Sequence, residues 1–188
     1  MTEPTQPDEP VELPEWFGPP EDETGAVVPL RVVVFQDAMT AITVTGLVAY
    51  STGFSLTLNV LRRVDGILRL IESSLGHMHR SDQISDKVVR FEIEYADGRR
   101  ASCLDGFDET PRNIRLTGGS GGGGDTSFRS HYWAWPLPPI GSVKLAVEWP
   151  SIDLSRTEIE IDAGPILDAA AQSLRLWQSR PLPRPSER

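Results

Sequence analysis

The chain has 188 residues, 39% of them hydrophobic, which is enough for one domain with a buried core. No apolar run reaches the roughly 18 residues of a membrane-spanning helix, and Met1-Thr2-Glu3-Pro4 has neither the basic nor the apolar part of a secretion signal. Of the formal charge of -9, the first 25 residues hold eight acids and no base. The other 19 acids face 18 bases, so the body lacks the basic field that gathers nucleic-acid phosphates.

A single cysteine, Cys103, excludes a disulfide framework and agrees with a cytoplasmic setting. Residues 1–25 read as a disordered, acidic, proline-punctuated tail. Within it, Leu13-Pro14-Glu15-Trp16-Phe17-Gly18 places bulky apolar side chains between acids. Such a segment either rests on the body or docks in a groove of this protein or another.

Alternation begins at Val28, with Leu30, Val32 and Val34 on one face, and a β-branched run follows from Met39 to Tyr50. After Ser51-Thr52-Gly53, the side chains Phe54, Leu56, Leu58 and Val60 point one way. Ser55, Thr57 and Asn59 point the other, as in a half-buried strand. Ile67, Leu68, Leu70, Ile71 and Leu75 predict a short helix between Asp65 and Gly76, with an exposed loop from His77 to Lys87. Val88–Tyr95 and Arg99–Leu104 flank Ala96-Asp97-Gly98, a tight hairpin signal.

A strand over Asn113–Thr117 leads into Gly118-Gly119-Ser120-Gly121-Gly122-Gly123-Gly124, read as a long hairpin loop. The chain returns as Phe128–Trp135 and meets the proline corner Pro136-Leu137-Pro138-Pro139, where no ladder can continue. On that return strand Arg129, His131, Trp133 and Trp135 share a face. Val143, Leu145, Val147 and Trp149 share a face of the next strand. Arg156–Asp162 alternates again, with Ile159 and Ile161 inward and an acidic row outward. Gly164-Pro165 opens a helix whose stripe is Ile166, Ala170, Leu174 and Trp177, closed by Pro181.

About nine strands joined by short turns imply an antiparallel β-sandwich of immunoglobulin-like type, with the C-terminal helix packed on it. The domain spans residues 26–178, and residues 179–188 form a short basic proline-rich tail. The glycine run, Tyr132-Trp133-Ala134-Trp135-Pro136-Leu137-Pro138-Pro139, Glu148-Trp149-Pro150 and Ile166-Leu167-Asp168-Ala169-Ala170 carry a resemblance. Pro29-Leu30, Thr45-Gly46, Thr52-Gly53-Phe54 and Ala96-Asp97-Gly98 extend it over roughly residues 26–178. It resembles a group of small uncharacterised actinobacterial proteins. That resemblance implies the fold and a bacterial cytoplasmic setting, and carries no activity.

No catalytic set is complete. Gly118-Gly119-Ser120-Gly121-Gly122 fits a nucleophile-elbow pattern, but a strand follows where a helix is required. The glycine run lacks the lysine of a phosphate loop, leaving a backbone nest for an anion as the weaker possibility. His77, His79 and His131, with Asp82 and Asp86 nearby, read as exposed rather than as metal ligands. Glu158, Glu160 and Asp162 read as a solvated row balanced by Arg156.

No cofactor, nucleic acid or membrane is expected. The remaining candidate is a protein-partner surface built from Arg129, His131, Trp133 and Trp135, with Trp16 and Phe17 as a second contact. Core packing of the tryptophans under the C-terminal helix is the plainer reading. The leading expectation is a non-enzymatic interaction or assembly module, with self-association open. The alternative is a small-ligand or anion-binding protein, or an enzyme, that uses the glycine run as a flap over a pocket.

Overall fold

The computed structural model describes residues 13–67, 71, 84–105 and 113–177. In chain order the strands are β1 (Glu23–Thr24), β2 (Ala26–Val27), β3 (Val32–Gln36), β4 (Thr40–Ala49), β5 (Phe54–Arg62) and β6 (Arg90–Tyr95). They continue as β7 (Arg100–Ser102), β8 (Arg115–Gly124), β9 (Ser127–Trp135), β10 (Ser142–Trp149) and β11 (Leu154–Asp162). Helix α1 (Gly164–Ala170) and β12 (Leu174–Arg175) follow.

Two antiparallel sheets form the sandwich. One runs β2-β4-β5-β9-β8, with β3 also on β4, and the other runs β11-β10-β6-β7. The nine expected strands are β3 to β11, and the three additional ones are two-residue pieces. Of the run expected from Val28 to Val34, only Val32–Val34 is strand, and a separate two-residue strand, Ala26–Val27, precedes it. Pro29 has no N–H to give a ladder, so β2 and β3 pair with β4 separately.

The core lies between the sheets. Phe54, Leu56, Leu58 and Val60 face Phe91, Ile93, Leu145 and Trp149 across it, all buried. Phe91 and Tyr132 join the layers with ring centroids 5.2 Å apart. Trp149 is fully enclosed, and burying so large a ring stabilises the fold by several kcal/mol, of the order of 3–5 when truncation is measured. Cys103 sits in the same layer, where burial pushes its thiol up to about 11. The Asp-Gly hairpin forms as expected, with Gly98 at φ 83 between β6 and β7. Tyr95 Oη donates to Pro136 O at 2.7 Å, tying the proline corner to β6.

Three expectations need correction. The glycine run is strand, not loop: Gly118 and Gly121–Gly124 pair with Tyr132 and Ser130–Ser127 of β9, with a bulge between Gly118 and Gly121. Asp125-Thr126 makes the turn, and its carbonyls accept from Ile67 and Arg62 N–H groups, so the hairpin tip is tied down. Glycine is needed here because of close approach: a Cβ at Gly123 meets Ser127 O and Phe128 Cα.

The C-terminal helix is also shorter than expected. It ends at Ala170 with Ile166, Ala169 and Ala170 buried, against β2 and β4. Leu174 and Trp177 are not part of a buried stripe but are 61% and 64% exposed. Leu174–Arg175 instead pairs with Glu23–Thr24.

The third correction concerns the N-terminus. Residues 13–25 lie on the body rather than forming part of a disordered tail. Their anchor is the β1–β12 clasp. Glu23 is buried and accepts from Ser51 N and Ser51 Oγ, both at 2.6 Å. Leu176 N donates to Asp22 O at 2.7 Å, and Arg175 pairs with Asp22.

Of the helix expected after Asp65, Ile67 and Ile71 are described. Both are buried, and Ile71 N donates to Ile67 O. The rest of that helix, with His77, His79 and Asp82, lies outside the described residues.

Candidate functional site: an aromatic sheet face covered by the N-terminal segment

Strands β8, β9 and β5 pair in a register that stacks like-facing residues across the sheet. Arg115 is opposite Trp135, and Thr117 is opposite Trp133. On the other side of β9, Ser55 is opposite Trp133, Thr57 opposite His131 and Asn59 opposite Arg129. Directly opposed residues of an antiparallel pair share a face. The outer face is therefore a plate of tryptophan, hydroxyl and amide groups.

This plate is roofed by residues 13–18. Trp133 Nε1 donates to Glu15 O at 2.9 Å, and Thr117 Oγ1 donates to Trp16 O at 3.1 Å. Trp135 Nε1 makes a longer bond of 3.4 Å to Glu15 Oε2. The Trp16 ring lies under the Arg115 guanidinium, 4.8 Å from centroid to Cζ, in a cation–π contact. Phe17 stands edge-on to Trp16 at 6.2 Å and stays 44% exposed.

Trp133 is fixed from several sides. It is only 4% exposed, and Tyr50 meets it edge-on at 5.6 Å. Behind it, Gly53 leaves the space the ring occupies: a Cβ there would sit 2.7 Å from Trp133 Cζ2 and would also meet Ala134 O. A buried indole needs a partner for its N–H, and Glu15 O supplies one.

The structure thus joins four of the six residues singled out in sequence. Trp133, Trp135, Trp16 and Phe17 meet in one patch, whose cover is the N-terminal segment and not the C-terminal helix. His131 is exposed at its border, with Nδ1 held by Thr57 Oγ1 at 3.0 Å. Arg129 is exposed further along β9 and makes none of the hydrogen bonds to the segment. Arg115, Thr117, Tyr50 and Gly53 were missed. Arg115 and Thr117 become visible once Asp125-Thr126, rather than the glycine run, is taken as the hairpin turn.

The other temptations are placed as follows. Ser120 lies exposed on β8, which leads into β9 and not into a helix. An extended ladder strand points alternate N–H groups apart, so the described glycines do not form a nest. Arg156 bonds Glu158 and Glu92, Lys144 bonds Glu94 at 3.0 Å and Arg90 bonds Glu148 at 2.7 Å. The outer face of the second sheet is therefore a lattice of cross-strand ion pairs. Asp86 is exposed, and its carbonyl accepts from Ser151 N and Oγ. Among the described residues no three His, Cys, Asp or Glu side chains converge as metal ligands.

No protein-family model, no curated protein and no solved structure matches this chain.

Proposed function

We propose that this chain is a non-enzymatic protein-interaction module of the bacterial cytoplasm. In this reading its immunoglobulin-like sandwich docks a short, turn-forming acidic–aromatic segment of a partner protein on the outer β8–β9–β5 face. Residues 13–18 hold that face when the partner is absent. The observation that carries the reading is the bond from Trp133 Nε1 to Glu15 O. With Thr117 it makes two side-chain donors aimed at successive main-chain carbonyls. A segment therefore needs only a turn like that of Pro14–Phe17, where Phe17 N donates to Pro14 O at 2.8 Å, and one aromatic ring for Arg115, with an acid beside it.

Tryptophan and arginine are the usual anchors of such sites. These attractions are modest: about 1 kcal/mol for each hydrogen bond and about 0.5–1 kcal/mol for the cation–π contact. A competing segment that fits slightly better can displace them.

The test is a labelled peptide of residues 9–20 titrated into the full chain and followed by fluorescence anisotropy. Replacing Trp16→Ala removes the ring under Arg115, loosens the resident segment and should tighten peptide binding by about 2–5-fold. Adding Trp133→Ala should abolish it. Equal binding to all three chains, or none to the Trp16→Ala chain, contradicts the proposal.

A further inference from the structure

Beside the docked segment, a cavity of about 520 Å³ opens between Phe17-Gly18-Pro19 above and the Gly118–Ser120 stretch of β8 below, with Trp133 and His131 at its side. We propose that this cavity binds a small, neutral, planar aromatic molecule carrying one N–H or O–H donor, of the size of an indole or a phenol. The proposal rests on the docked segment, because Phe17 and Pro19 form one wall.

Size comes first: the volume falls within the range of small-molecule sites, roughly 300–1,000 Å³. Charge comes next. Among the described residues no Lys, Arg, Asp or Glu lines the cavity, and its walls are mostly carbon. An anion or cation held against these walls would lose part of its hydration with no counter-charge from the described residues, which favours a neutral ligand. Phosphates and carboxylates are disfavoured on the same ground.

Shape selects a flat ring. Gly118 and Gly119 offer bare peptide planes on one side. Trp133 is a rigid aromatic wall on another, locked by Glu15 O, Tyr50 and the space at Gly53. Stacking and edge contacts between such surfaces favour an aromatic guest over an aliphatic one.

The polar groups then set the guest's hydrogen bond. Thr117 Oγ1 gives its proton to Trp16 O and keeps its lone pairs as acceptors. His131 Nδ1 is taken by Thr57, so Nε2 is its remaining polar atom. Both residues line the cavity: Thr117 Oγ1 accepts from the guest's donor, and His131 Nε2 is a second polar contact whose role follows the ring's tautomer.

The test is indole itself, titrated into the ¹⁵N-labelled full chain. Saturable shifts are expected at the amides of Thr117–Ser120 and His131, with a Kd of about a millimolar or tighter. Benzoate, similar in size but charged, should bind at least about tenfold more weakly. Gly119→Leu fills the slot and should raise the indole Kd by at least about tenfold. Gly119 accepts a side chain, since its backbone is outside the left-handed region and a Cβ first meets His131 O at 3.4 Å.

The Trp133 Nε1–H signal serves as the control for docking. If that N–H stays protected while indole gives no saturable shift, or binds Gly119→Leu equally well, the cavity proposal is overturned and the docking account stands. An unprotected Trp133 N–H in the free chain overturns both.

Discussion

Replacing Gly53 by alanine tests how the aromatic plate is built. The added methyl would sit 2.7 and 2.9 Å from Trp133 Cζ2 and Cη2, and against Ala134 O. None of these neighbours yields easily. Ala134 O is backbone, and the Trp133 ring is held by Glu15 O and Tyr50. Either β9 shifts on β5, or the ring leaves its place and its N–H bond breaks. Overpacking of this kind costs about 1–3 kcal/mol, with about 1 kcal/mol more if the hydrogen bond is lost. For a chain of this size each kcal/mol corresponds to about 2–4 °C in Tm. Urea unfolding should show the loss, and acrylamide quenching should show a newly accessible tryptophan. Wild-type stability together with wild-type quenching in Gly53→Ala would refute the reasoning, because the methyl has no free space to enter.

Other outcomes follow from burial and charge. Trp149→Ala empties the centre of the core and should cost about 3–5 kcal/mol in urea unfolding. Ile166→Ala should cost about 2–5 kcal/mol, whereas Leu174→Ala and Trp177→Ala, both at exposed positions, should each stay within about 0.5 kcal/mol of wild type. Cys103 should react with a thiol reagent at pH 8 only on unfolding, since burial raises its pKa to about 11 and leaves it 3% exposed. At Glu23, burial works to raise the pKa, but bonds from Ser51 and Ser173 and the charge of Arg175 outweigh it and hold the carboxyl below its usual range. Its stabilisation is therefore complete above the unfolded value of about 4.3 and lost as pH falls through the lower folded value. The stability gap between wild type and Glu23→Gln should be wide near neutral pH and close in acid; a gap that widens in acid contradicts the clasp.

Much of the fold was legible because strand alternation is a local property. Phe54, Leu56, Leu58 and Val60, and likewise Val143 to Trp149, carry their inside and outside in their own order. The glycine run was not legible in that way. Glycine has weak strand preference, and the partner strand β9 imposes the extended form on it. The C-terminal helix misled for the opposite reason. Leu174 continues a helical stripe, yet pairing with Glu23–Thr24 takes the chain out of the helix first.

The candidate site was half legible. Trp133 and Trp135 stood out by type, and Leu13 to Gly18 by an apolar cluster among acids. That the two belong together is a contact over 118 residues of separation, which no local pattern encodes. Thr117 and Arg115 look ordinary until register places them beside the tryptophans.

The central claim is that the tryptophan plate of β9 is covered by the chain's own residues 13–18. The nuclear Overhauser spectrum of the full chain tests it most directly, with the Trp133 indole proton assigned through Trp133→Phe. The account predicts cross-peaks from that proton to the α-protons of Glu15 and Trp16, and slow exchange with water. Rapid exchange, with no cross-peak to any residue from 13 to 18, would contradict it.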